Sequence, residues 1–199
     1  MNLDNYQILA DKTVNMDVDV VDNCIIGLYG ESGEFVDILK KIAFHKHPVD
    51  SIICDKLKRE AGDLTWYGAV LVKHYCKQPL HLCWAHDPDE QHFRTFSDID
   101  ARIVSYMRHD PTQLTMRTVR AAKAIMGSTS NVIAGQMSIN STAIVMQSVA
   151  GLYDCIAGTL SLFGLKLDDC AELNIKKLRE RYGEKFSEYA ANNRKASDG

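Results

Sequence analysis

Apolar residues recur at helical spacing along most of the chain, and β-branched alternation is confined to short runs, so the pattern predicts an all-α protein. Tyr6, Leu9, Ala10 and Thr13 mark a first helix over about 3–15. Ile25, Ile26, Leu28, Tyr29, Phe35, Val36, Leu39 and Ile42 mark a second over 22–45, closed by a loop at Pro48 and the restricted His47 before it. Leu57, Ala61, Leu64, Tyr67, Leu71 and Tyr75 share one face of a third helix over 53–75, with Asp55 as its N-cap. Residues 76–97 hold two prolines and no period, which predicts irregular structure. A helix then starts at a Ser97 or Asp98 cap, and another follows Asp110 and Pro111 until Gly127 stops it. The stretch after Gly127 is too rich in Ser, Gly and Asn to assign. Residues 141–163 form a long apolar helix ended by Gly164, and a last helix runs from Asp168 or Asp169 to Gly183.

Two pairs of acids stand beside these apolar stripes: Glu31 and Glu34 in GESGE, and Glu60 and Asp63 in REAGD. Three residues turn a helix through roughly 300°, so the side chains of each pair project from one face. Two antiparallel helices packed along their stripes would bring all four carboxylates together. Such a group is unfavourable without a cation among its charges. Mg²⁺ suits it as a hard ion that takes carboxylate oxygens, with Mn²⁺ as the alternative. A lone i, i+3 pair is ordinarily a solvated helix face, but two pairs inside apolar helices weigh the other way. Gly30, Gly33 and Gly62 lie next to these acids, and a glycine inside a helix costs about 1 kcal/mol against alanine. Close helix approach or room for a ligand would account for that cost.

These residues resemble the MazG-like all-α nucleoside triphosphate pyrophosphohydrolases, whose signature is ExxE, a spacer, then ExxD. The spacer here is the 25 residues 35–59. GLYGESGEFVDILKK is similar to the family's Gly-x-x-Gly-Glu-x-Gly-Glu stretch with its trailing Lys pair, and REAGDLTWY to its Glu-x-x-Asp stretch with the Trp that follows. LFGLKLDDCAELNIKKLRERYGEKF is similar to its closing helix, where an Asn, a Lys and an Arg-Tyr pair recur. The resemblance covers roughly 1–75 and 158–194. It implies a helical bundle, as a homodimer or homotetramer, that splits a nucleotide between its α- and β-phosphates into a monophosphate and pyrophosphate. It implies Glu31, Glu34, Glu60 and Asp63 as the metal ligands, with Glu31 or Glu34 as base for the attacking water. Lys41, Asn174, Lys177, Arg181 and Tyr182 are then the phosphate-side residues, and Trp66 is a core anchor or a platform for the base. The rival function is a non-catalytic nucleotide-binding or helical regulatory protein. About 80 residues, 76–157, are inserted where compact members run almost directly into the closing helices, within what reads as one domain over 1–199.

Composition narrows little further. The chain of 199 residues has 46% hydrophobic and 25% charged residues and a net charge of -3, without the basic excess of a nucleic-acid binder. The charge is unevenly spread: residues 1–63 carry 12 acids against 7 bases, whereas 101–153 carry Arg102, Arg108, Arg117, Arg120 and Lys123 against Asp110 alone. That basic stretch suggests either a lid over a triphosphate or a solvated face. No apolar stretch is expected to span a membrane, and no basic end precedes an apolar segment at the N-terminus, so a cytoplasmic location is expected. Six cysteines without a CxxC predict reduced, mostly buried thiols. Cys76, His81, Cys83, His86 and His92 crowd together, but in no recurrent zinc spacing.

Overall fold

The computed structural model describes residues 1–85, 93–106, 114–138 and 141–183, and every regular element among them is helical. The helices are α1 (Leu3–Asp11), α2 (Val20–His45), α3 (Ser51–Leu71), α4 (Phe96–Tyr106), α5 (Leu114–Gln136), α6 (Ser141–Ser161) and α7 (Leu167–Tyr182). A π-helical turn (Val72–Cys76) prolongs α3, and a 3-10 turn (Leu80–Trp84) occupies part of the stretch predicted to be irregular.

The helix boundaries have local causes. α1 ends at Asp11 rather than near 15, because the Thr13 hydroxyl and amide both donate to Ala10 O, at 2.7 and 3.0 Å. Asp19 caps α2 through the Asp22 amide at 2.9 Å. Lys46, in the left-handed region at φ 54°, closes that helix ahead of Pro48. The cap of α3 is Asp50, not Asp55: its extended backbone lets the carboxylate accept the Ile53 amide at 2.9 Å. Asp55 lies on the surface one turn further on, paired with Lys58 at 3.3 Å. At α4 the cap is Thr95, whose hydroxyl accepts the Asp98 amide while the Asp98 carboxylate accepts the Thr95 amide, a reciprocal capping box. α5 does not stop at Gly127. Thr129, Val132 and Ile133 bury beyond it, and tertiary packing outweighs the glycine. α7 begins at Leu167 without a cap of its own. Asp100 of α4 supplies one, accepting the amides of Leu167 and Asp168 at 2.9 and 3.0 Å.

α2 lies between α3 and α5, α5 packs on α6, and α6 returns to α3 and its π-helical turn, so these four long helices close a ring. α1 and α7 cover the outer side of α3, and α4 bridges α6 and α7. One apolar cluster runs through all seven helices, from Leu3 and Tyr6 through Leu28, Leu64 and Phe96 to Ile125, Tyr153 and Leu167. Each large aliphatic side chain removed from water contributes about 1.5–3 kcal/mol. α5 and the greater part of α6, within the 76–157 stretch, are therefore part of the bundle wall: Ser32 of α2 shares a buried hydrogen bond with Thr129 of α5 at 2.7 Å, and Tyr153 of α6 donates to Thr65 O of α3 at 2.5 Å. α6 does reach the length and apolarity of a membrane span, which corrects the expectation that no segment would. Its apolarity has a packing cause, since Val145, Val149, Leu152, Ile156 and Leu160 are buried in the common core.

Candidate metal and phosphate site

The acids meet because α2 and α3 pack antiparallel. Gly27 faces Tyr67, Glu31 faces Glu60 and Asp63, and the Lys41 end of α2 meets the Ile52 end of α3. Carboxylate oxygens of Glu31, Glu60 and Asp63 all lie within 4.8 Å of one another, and each residue is half-buried. Glu34 is not in that trio. It stands exposed on the rim of a neighbouring cleft of about 750 Å³ between α2 and α3.

The trio is under electrostatic tension. Burial, then the charges of Asp63 and Glu60, push the Glu31 carboxyl up to about 8, with further contributions from its hydrogen bond to Glu60 and from the charge of Glu34. Burial also raises Glu60, partly opposed by its hydrogen bond from Glu31. Near neutral pH the pair shares a proton, Glu31 donating and Glu60 accepting. Two carboxyls and a proton here occupy the place where oxygen ligands for a hard divalent ion would gather, and the all-oxygen, half-buried donor set fits Mg²⁺ or Mn²⁺.

Asp63 is held from the opposite side by α7. Lys177 Nζ donates to both its oxygens, at 2.5 and 2.7 Å, and Asn174 Nδ2 donates to Oδ1 at 2.8 Å. Buried Asn174 is itself oriented, because Tyr6 OH of α1 donates to its Oδ1 at 3.1 Å. The contact needs Gly62, where a Cβ would stand 2.9 Å from Asn174 Cβ and 3.1 Å from Cys170 O. One of the three glycines singled out in the sequence thus serves helix approach.

The remaining predicted residues divide. Lys41 lines the cleft, with Nζ 2.6 Å from Asp37 Oδ2. Lys40 and Lys41 together hold the Asp37 carboxyl down to about 2. Trp66 does not line the cleft; its indole N–H donates to Thr13 Oγ1 at 3.0 Å and its ring meets Tyr67 edge-on. Arg181 and Tyr182 are half-buried at the end of α7, with the guanidinium 5.7 Å from the Tyr182 ring centre, and neither lines the cleft. Arg102 pairs with Asp154, while Arg117, Arg120 and Lys123 stand on α5 outside the cleft lining. Arg108 and Asp110 lie outside the described residues, as do His86 and His92. Among the described members of the Cys/His group, Cys76 and Cys83 are buried and His81 is held by Asp4 at 2.7 Å.

Sequence reasoning missed Lys56 and Arg59, which line the cleft beside Glu60. The signal was available as a stripe, since positions 52, 55, 56, 59, 60 and 63 share one helical face.

The fold and site together define an all-helical protein that presents an acid trio beside a cleft lined by basic and acidic side chains. No protein-family model matches the chain, and comparison with curated proteins and with solved structures returns no significant match.

Proposed function

We propose that this protein is a Mg²⁺-dependent nucleotide pyrophosphohydrolase of the MazG-like kind, acting on a (deoxy)nucleoside triphosphate at the α–β phosphoanhydride. The observation that carries the reading is the meeting of Glu31, Glu60 and Asp63 within 4.8 Å, beside a cleft of nucleotide size. Both sequence signatures thereby contribute to a single hard-donor group.

Glu31, Glu60 and Asp63 would hold the ion, with Glu34 completing the set from the rim or acting on the water. When bound, Mg²⁺ supplies charge neutralisation for the phosphate oxygens and the leaving pyrophosphate. Glu31 is committed to the trio, which leaves Glu34 as the carboxylate that takes the water's proton. The water oxygen bonds to the α-phosphorus, the bond from that phosphorus to the bridging oxygen breaks, and pyrophosphate carries away the electron pair. Lys41 at the cleft and Lys177 behind Asp63 place positive charge on either side of the acids.

The test is Mg²⁺-dependent pyrophosphate release measured across a panel of nucleotides. Turnover of at least one of them, abolished by EDTA, is the expected result. A folded protein that releases pyrophosphate from none of them sinks the enzyme reading and favours the nucleotide-binding alternative.

A further inference from the structure

A second cleft, of about 490 Å³, lies where α1 meets the π-helical turn and the chain that follows it. Gln7 and Ile8 line it from α1, and Lys73, Lys77 and Pro79 from the turn and beyond. It shares no lining residue with the cleft beside the acid trio. Lys73 stands roughly 15 Å along the helix from Asp63.

The floor of this cleft holds a polar group that the fold satisfies only in part. Gln7 is 4% exposed, and its Nε2 donates to Ala69 O and to Gln78 O, both at 3.2 Å. The two amide hydrogens are thereby spent in tying α1 across the π-helical turn. Those carbonyls also fix the orientation of the amide, since a flipped Gln7 would set its oxygen against both. Oε1 is left without a donor among the described residues. A buried acceptor left unmade costs about 1–3 kcal/mol, and the cleft that Gln7 lines is the space from which a donor can come.

The walls carry unspent positive charge. Lys73 and Lys77 are exposed, and neither forms an ion pair or a side-chain hydrogen bond among the described residues. The neighbouring acids are engaged elsewhere. Asp4, also in the lining, accepts the His81 amide at 3.1 Å and pairs with the His81 ring at 2.7 Å, and Asp11 lies 2.6 Å from His74 Nε2. Ile8, 53% exposed, and the exposed Pro79 add apolar surface to the same cleft.

We infer that this cleft binds a small organic phosphate. Lys73 and Lys77 take the phosphate, Ile8 and Pro79 flank a ring, and Gln7 Oε1 accepts a hydrogen bond from a ring N–H or a sugar hydroxyl. A phosphate monoester carries about −1.5 to −2 charge at neutral pH, which suits two uncommitted lysines better than a single carboxylate does. A nucleoside monophosphate has all three parts. The site needs no metal and does not rest on the hydrolase reading.

Titration of the full chain with adenosine monophosphate in EDTA tests it, followed by calorimetry and by the ¹⁵N–¹H signal of the Gln7 side-chain amide. The expected result is a saturable shift of that signal, with Lys73→Met combined with Lys77→Met weakening binding about tenfold or more and reducing its salt dependence. Ile8→Ser should weaken adenosine monophosphate several-fold and leave inorganic phosphate unaffected. Lys123→Met, on α5, should bind as the parent does. All of these positions are exposed, so the variants keep the fold, whereas Gln7 is followed only through its signal because its replacement would release the π-helical turn. The proposal is overturned if millimolar adenosine monophosphate leaves the Gln7 signal in place, or if binding survives loss of both lysines. Inorganic phosphate binding as tightly as the nucleotide would also overturn it, since the ring and its donor would then contribute nothing. Because the chelator removes any divalent ion, neither outcome depends on whether the acid trio catalyses hydrolysis.

Discussion

The two faces of α3 differ in how tightly they are built. Toward α6 and α7 the backbone is approached as closely as glycine allows: Tyr153 seats on Gly68 and Asn174 on Gly62, and the hydroxyl of Tyr153 and the amide of Asn174 are both hydrogen-bonded. Toward the cleft, Asp55, Lys56, Arg59 and Glu60 are half-buried or exposed, and a Cβ added to Gly30 or Gly33 of α2 would meet nothing within 4 Å. The same residue type thus serves fold on one face and space on the other. The tight face fixes Asp63 in position through Asn174 and Lys177, and the loose face is left open.

Substitutions that separate these faces should have effects in a clear order. The largest belong to the acids: Glu34→Gln on the cleft and Asp63→Asn in the trio are expected to lower pyrophosphate release about a hundredfold or more, with Glu34→Gln leaving the fold intact by circular dichroism. Unchanged turnover in either would remove the metal-site assignment even if the activity were real. On the tight face, Gly68→Ala should destabilise by about 1–3 kcal/mol in urea unfolding, since the added methyl overlaps a buried ring that is tied to Thr65 O. A neutral result there would mean that Tyr153 can move, and the contrast between faces would weaken. Tyr6→Phe should cost about 1 kcal/mol by removing the hydroxyl that orients Asn174, with weaker Mg²⁺ binding by calorimetry as the accompanying sign.

An effect on stability of at least comparable size is one of pH. Glu31 titrates near 8 in the folded chain against 4.5 for an unperturbed carboxyl. Between those values the folded state holds a proton that the unfolded state has lost, so metal-free stability falls as pH rises from about 5 to 8 and then levels off. The melting temperature in EDTA should drop by a few degrees over that range, and Glu31→Gln should flatten the drop. A profile in Glu31→Gln as steep as the parent's would place the shared proton elsewhere.

Helices whose apolar period is strong were legible from sequence. α2 and α3 lie where Leu28, Phe35, Leu39, Leu57 and Leu64 place them, and of the four i, i+3 acids expected to gather, Glu31, Glu60 and Asp63 do so while Glu34 stands apart. The boundaries were less visible. Asp50 caps α3 because its own backbone is extended, and the apolar stripe starting at Ile53 concealed the turn before it. The end of α5 was hidden for a different reason, since Thr129 is taken up by Ser32 of α2 and Ser130 donates to the Met126 carbonyl one turn back in the same helix. The cap that Asp100 places on α7 spans 67 residues, beyond the reach of any local signal. The site was half legible. A carboxylate pair carries its geometry in its spacing. Lys56 and Arg59 share the helical face of Glu60 and Asp63, but that face becomes a cleft wall only because α2 packs opposite it.

The hold on Asp63 also bears on how the protein comes into being. Tyr6, Asp63, Asn174 and Lys177 are joined in one hydrogen-bonded chain, although 111 residues separate Asp63 from Asn174 and 168 separate Tyr6 from Asn174. Contacts of such sequence separation carry a large loop-closure cost and form late in folding. α2 and α3 can pair soon after both exist, and they bring Glu31 to Glu60 with them. Asp63 acquires its orientation only when α7 docks. Native hydrogen exchange should therefore protect α2 and α3 before α7, and recovery of ion binding on refolding should track α7 rather than the helices that carry the acids.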